Sequence, residues 1–76
     1  MKIEQFCDLL KQELNETTDI TPETNFKELE SYGSLSAVLV MQLVETHFNV
    51  KLNPRGFRSV NTVHDLVETI GAEKFS

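Results

Sequence analysis

Near the middle of the chain lies SLSAVLVMQLVETHF, which predicts a helix from about Ser34 to Phe48 and restricts the possible folds more than any other segment. On a helical wheel of about 100° per residue, Ala37, Val40, Met41, Val44 and Phe48 share one arc, the ordinary core face of a helix. Leu35, Leu39 and Leu43 recur at i, i+4 and i+8 on a different side, among Ser36, Gln42 and Thr46. A helix that is apolar on two sides is at home in the middle of a bundle, covered on more than one flank. With 76 residues the chain is expected to be one domain, residues 1–76, near the lower size limit for a core without disulfides or metal.

The flanking segments supply the other helices. Ile3, Phe6, Leu10 and Leu14 are spaced by three and four, with Glu4, Asp8, Lys11 and Glu13 between them, which predicts an amphipathic helix from about Ile3 to Leu14. Asn15 to Asp19 is polar and reads as a loop. In ITPETNF, Thr21 suits a cap and Pro22 a first helical position, so a single turn is expected there before Phe26 and Leu29 enter the core. Asn49, followed by Pro54 and Gly56, ends the central helix. Asn53 to Gly56 reads as a turn, and Phe57 to Val60 as a short third helix or an irregular piece.

Thr62 and Asp65 form a capping box, after which Val63, Leu66, Val67 and Ile70 make an apolar face and Gly71 a stop. The tail from Ala72 is expected to fray. The only short alternation, FNVKL, is more simply a helix exit than a strand. The fold class expected is all-α: a small antiparallel four-helix bundle of three longer helices and one short one.

Charge and cysteine content narrow the function. The formal net charge is −5, with eight acids and three bases in residues 1–30 against four and four in residues 31–76. An acidic chain opposes binding to nucleic acid or anionic lipid and suits a basic partner. No apolar run approaches a membrane span, and MKIEQFCDLL lacks the apolar core of a leader, so no membrane insertion and a cytoplasmic location are expected. Cys7, the one cysteine, has no disulfide partner in the chain and reads as a small buried side chain in a reducing compartment.

Ser34 suits the N-cap or first turn of the central helix, the commonest use of such a serine. Preceded by Gly33, its hydroxyl is also expected to be exposed where a phosphate ester would lie in the favourable field of the helix. Leu35 and Leu43 suit either a second buried side or a docking surface. Leu39, next to Gln42 and Thr46, is expected to be partly exposed. His47 and His64 lie far apart with no ligand spacing, so no metal site is expected. A triad of Ser34, a histidine and Asp65 lacks the Gly-x-Ser-x-Gly elbow and the chain length for a pocket, which argues against an enzyme. Arg55 and Arg58 read as solvated charge, with contact to a phosphate or an acidic partner as the rival use. Tyr32 reads as loop packing, and Met41 as core filler.

The stretch FKELESYGSLSAVLVMQLVETHFNVKL resembles the central part of acyl carrier proteins, in which a Phe-containing loop leads to Asp-Ser-Leu and then an aliphatic helix. That helix ends in a Phe followed by an acidic or amide residue and two alternating aliphatics. The likeness covers nearly the whole chain, from the first helix through ITPETNF to TVHDLVETI. It implies that Ser34 receives phosphopantetheine from coenzyme A through a phosphopantetheinyl transferase, and that the arm's thiol holds acyl groups as thioesters. The protein would then be a monomeric carrier acted on by acyl-loading and acyl-processing enzymes, with a place in fatty acid biosynthesis. Leu35, Leu39, Gln42 and Glu45 would face those partners.

Two departures from the family pattern stand out. Gly33 replaces the Asp before the serine, and the second helix has Glu45 as its only outward charge, with Leu39 where an acid is common. The resemblance leaves two rivals: an unmodified helical module for binding proteins, and a carrier of amino acids or polyketide units.

Overall fold

In the first helix, α1 (Ile3–Glu13), the apolar spacing turns Phe6, Cys7 and Leu10 inward, and Leu14 closes the element. The computed structural model describes residues 1–75. A long connection follows, in which Thr21 to Thr24 close a hydrogen-bonded turn that stays non-helical. The helical turn expected at Pro22 forms instead at Phe26–Glu28, as a 3-10 turn, because the Asn25 side chain accepts from the Lys27 N–H and caps it. Phe26 is fully buried there and Leu29 packs against the core.

The central helix, α2, spans Ser36–Phe48 and ends at Asn49 in the left-handed conformation (φ 56°), which asparagine tolerates. A short helix, α3 (Pro54–Phe57), begins with Pro54 after the Asn53 cap. It therefore occupies most of the stretch expected to be a turn, and Phe57 ends the helix it was expected to begin. The last helix, α4 (Val63–Ile70), carries the Thr62–Asp65 capping box and stops at Gly71, whose φ of 118° suits glycine. Asn25 and Thr62 form an isolated backbone pairing, and the described residues contain no strand.

The Phe6 ring lies 5.6 Å from that of Phe48, so the beginning of α1 meets the end of α2 and the two helices run antiparallel. Phe6, Leu10, Phe26, Val40, Val44, Val63 and Leu66 are fully buried between the helices. The tail does not fray as expected. Ala72–Lys74 form a 3-10 turn, and Phe75 packs its ring 5.4 Å from Phe6 and 4.9 Å from Phe48. A single aromatic outside any periodic pattern leaves no trace in a periodicity reading.

The core face of α2 is rotated from the expected arc toward Leu43. Ser36, Val40, Leu43 and Val44 are buried, while Ala37, Met41 and Phe48 are half-buried at its edge. The cause is α1, which lies along the Leu43 flank: Leu9, Gln12 and Glu13 meet Gln42, Leu43, Thr46 and His47 across a shallow groove. Leu43 is therefore a core residue and is removed from the possible docking ridge.

Candidate functional site

The approach to α2 is a tight turn from Gly33 to Ser36. The Ser36 N–H donates to the Gly33 carbonyl (3.1 Å), and the Gly33 N–H donates back to Ser36 Oγ (2.8 Å). Leu35 sits at φ −92°, ψ −10°, close to the third position of a type I turn. This reciprocal pair holds the two ends of the turn together and leaves Ser34 and Leu35 at its tip, both exposed. The two serines are thereby separated. Ser36, 6% exposed, spends its hydroxyl on the turn, whereas Ser34 Oγ has no hydrogen-bond partner among the described residues.

Helix α2 begins two residues later than expected, with Leu35 as its N-cap and no side chain capping it. Ser34 is therefore neither cap nor first-turn residue; it precedes both. The N–H groups at the start of α2 lack a side-chain acceptor, so the positive end of the helix is left open beside an exposed hydroxyl.

The segment before the turn is fixed at several points. Tyr32 is half-buried with its ring 5.9 Å from Phe26 in an edge-on contact, and burial raises its phenol pKa. Its N–H donates to the Leu29 carbonyl (3.0 Å). Ser31 Oγ donates to Glu16 (3.3 Å), joining the segment to the chain just beyond α1. Phe26 also meets the Phe57 ring at 6.0 Å, and Lys27 reaches over that ring to donate to the Phe57 carbonyl (2.6 Å). Desolvation in this position lowers the Lys27 pKa.

Beyond the turn, one side of α2 presents Leu35 (73% exposed), Val38 (47% exposed), Leu39, Gln42 and Glu45. Among the described residues, the large apolar side chains this exposed are Met1, Leu35 and Val38, so two of the three lie within the four residues that follow Ser34. Leu39 is half-buried as expected, and it is not among the partly buried side chains that pack on the core. Val38 was missed in the sequence because a valine amid five other aliphatics carries no mark of exposure. Only the position of α1 on the Leu43 side turns it outward.

The other polar residues do not converge on Ser34. Asp65 is engaged at the start of α4, where N–H groups of Thr62 and Asn61 hold its carboxyl below the usual carboxylate range. His64 is exposed and lies 3.5 Å from Glu68, and His47 is exposed near the end of α2. Arg55 and Arg58 are exposed. Cys7 is buried as expected, and burial, assisted by Asp8, Glu4 and Glu23, pushes its thiol pKa up. No group of three or more potential ligands is placed to hold a metal among the described residues, and none of their helices is long and apolar enough to cross a membrane.

A family model described as phosphopantetheine attachment site matches residues 4–70, from the second residue of α1 to the last of α4. No curated protein and no solved structure matches the chain significantly.

Proposed function

The chain belongs to the family of phosphopantetheine attachment sites, and we propose that Ser34 is the residue through which it carries that group. Domains of this family are carriers and not catalysts, so the reacting groups come from a partner enzyme. The observation that carries the assignment is the division of labour in the Gly33–Ser36 turn: of its two hydroxyls, Ser36 is buried and hydrogen-bonded, and Ser34 is exposed and free.

Attachment requires Ser34 Oγ to attack the phosphorus that bears the pantetheine half of coenzyme A. The new Oγ–P bond replaces the bond to the nucleotide phosphate, which leaves with its electron pair, and the hydroxyl proton passes to a base on the transferase. The phosphodiester formed is anionic, and the uncapped N-terminus of α2 is a favourable neighbour for it. When bound, the group supplies a thiol on a flexible arm, which holds an acyl cargo as a thioester. The chain's own part is to hold Ser34 at the tip of a braced turn and to offer partner enzymes a surface beside it.

That surface is Leu35, Leu39, Gln42 and Glu45, with Val38 between them. With Glu45 as its one charge, docking here draws on apolar burial at roughly 25 cal/mol per Å² more than on ion pairing. Leu39→Glu should therefore slow transfer to or from the cognate enzymes, and added salt should alter the wild-type rate little. Unchanged partner kinetics in this variant would remove the surface from the proposal.

Incubation with coenzyme A, magnesium and a broad-range transferase, followed by intact-mass measurement, tests the attachment site. Wild type and Ser36→Ala should gain the mass of one phosphopantetheine, and Ser34→Ala should gain none. A wild-type chain that stays unmodified favours a helical module that only binds proteins. A Ser34→Ala chain that still gains the mass refutes the assignment.

A further inference from the structure

At the far end of α1 from Ser34 lies a feature that the carrier reading does not use. The Ser31–Glu16 bond sets the C-terminal end of α1 near the segment leading to Ser34, and the Phe6–Phe48 contact sets its N-terminal end beside the other end of α2. There, Ile3, Glu4, Cys7 and Asp8 of α1 face Asp19 to Pro22 of the long connection across an open groove of about 480 Å³, within the size range of ligand clefts. Its apolar lining is formed by Cys7 and Ile20, both buried, with Ile3 and Pro22 half-buried beside them.

The exposed side chains along the groove are three acids, Glu4, Asp8 and Asp19, and Thr21. Asp19 is paired with Lys11 at 2.8 Å, whereas Glu4 and Asp8 have no ion-pair partner among the described residues. Glu4 and Asp8 line the groove on either side of Cys7 in the chain, and both raise the Cys7 thiol pKa by their charge. The whole groove also belongs to the first 30 residues, where eight acids face three bases.

We propose that this groove docks a basic segment of a partner protein, with an apolar side chain against Ile3, Cys7, Ile20 and Pro22 and flanking Lys or Arg side chains on Glu4 and Asp8. The occupant follows from complementarity: an apolar floor takes an apolar anchor, and unpaired acids at its edge select cations and reject an acidic segment. Because Ser34 lies at the opposite end of α1, the groove can be filled while the turn stays accessible. One partner can then hold the protein while another acts at its serine. The inference stands on the groove and its charge and does not require Ser34 to be the modified residue.

The test is an amide-shift titration of the isotope-labelled full chain with the blocked peptide Lys-Leu-Lys-Phe-Arg-Leu-Lys. Two control peptides carry Glu at every basic position or Ser at every apolar one. The basic apolar peptide should give saturable shifts centred on residues 3–8 and 19–22, diminished by salt. The Glu peptide should give none, and the Ser peptide should bind more weakly.

The double variant Glu4→Gln, Asp8→Asn changes only exposed side chains and should weaken binding roughly three- to tenfold, the effect of losing two surface charge contacts. Ser34→Ala should bind as wild type does. Absence of saturable shifts overturns the proposal, as do shifts centred on Leu35 to Gln42 or spread over Glu13, Glu16, Glu28 and Glu30. Undiminished binding by the double variant overturns it too.

Discussion

The starts of α2 and α4 solve the same problem in opposite ways. At α4, Thr62 has extended backbone (φ −103°, ψ 165°), its hydroxyl accepts from the Asp65 N–H (3.1 Å), and the Asp65 carboxylate accepts in return from Thr62 and Asn61 (3.1 Å each). At α2, the N-cap is Leu35 in helical backbone with nothing to offer, and the nearby Ser36 hydroxyl bonds backward into the turn. One end is closed by its own side chains. The other gives its first N–H, that of Ser36, to the Gly33 carbonyl and has no side chain on its positive end, which lies beside an exposed serine.

The contrast teaches what each helix depends on. A short α4 of eight residues gains from a complete cap. The longer α2 can leave its end open because Val40 and Val44 are fully buried and Leu43 nearly so, and packing holds it. An open end on a well-anchored helix is what an anionic attachment can use at little cost to the fold.

The largest expected effect that sharpens this contrast is at the closed end. Thr62→Ala should destabilise by about 1 kcal/mol, lowering the midpoint of thermal unfolding by roughly 4–8 °C in a chain this small. The rate of modification at Ser34, measured well below that midpoint, should not change. A rate that falls would mean that the two ends are not separable.

Ser36→Ala follows, at the open end. It removes one turn hydrogen bond, worth about 0.5–1.5 kcal/mol, and loosens the tip that carries Ser34. Here the modification rate, read by a mass time course, should fall severalfold while far-ultraviolet circular dichroism stays native. A normal rate would show that the brace is not needed to present the serine.

Gly33→Asp should act in the other direction and more weakly. Its φ is not positive, a side chain there meets nothing within 4 Å, and aspartate is favoured at the first position of a type I turn. Stability should rise by about 0.4–1 kcal/mol as the unfolded chain loses freedom. The transferase rate should also rise, because the carboxylate that the family pattern carries before the serine is restored. No gain in rate would show that glycine at this place is not what limits modification.

The smallest effect is in acid. Hydrogen bonds from Thr62 and Asn61 lower the Asp65 pKa below its ordinary 3.8, so its contribution is complete above that value. It is lost as pH falls further, through the lowered folded value. Asp65→Asn should flatten the decline of the unfolding midpoint in this range. An unaltered slope would mean that other carboxylates govern acid unfolding.

Much of this was legible in one dimension. The three-four spacing of Ile3, Phe6 and Leu10 marks α1, and the Thr62–Asp65 box and Gly71 mark both ends of α4, because these are local signals written within a few residues. The start of α3 was displaced because Asn53 and Pro54 serve equally as turn residues and as cap and first helical position. Phe75 was passed over because its partners, Phe6 and Phe48, are far away in sequence.

The sequence by itself determined that the chain is helical, that Ser34 to Phe48 forms its centre and that a serine stands near the entrance of that helix, since periodicity and capping chemistry are properties of neighbouring residues. Only the tertiary structure decided which serine is free, which of Val38 and Leu43 faces outward, and that an acidic groove opens at the other end of α1. Those outcomes depend on which flank of α2 is covered by α1 and where the long connection lies, and they arise from contacts between residues distant along the chain, which local spacing does not encode.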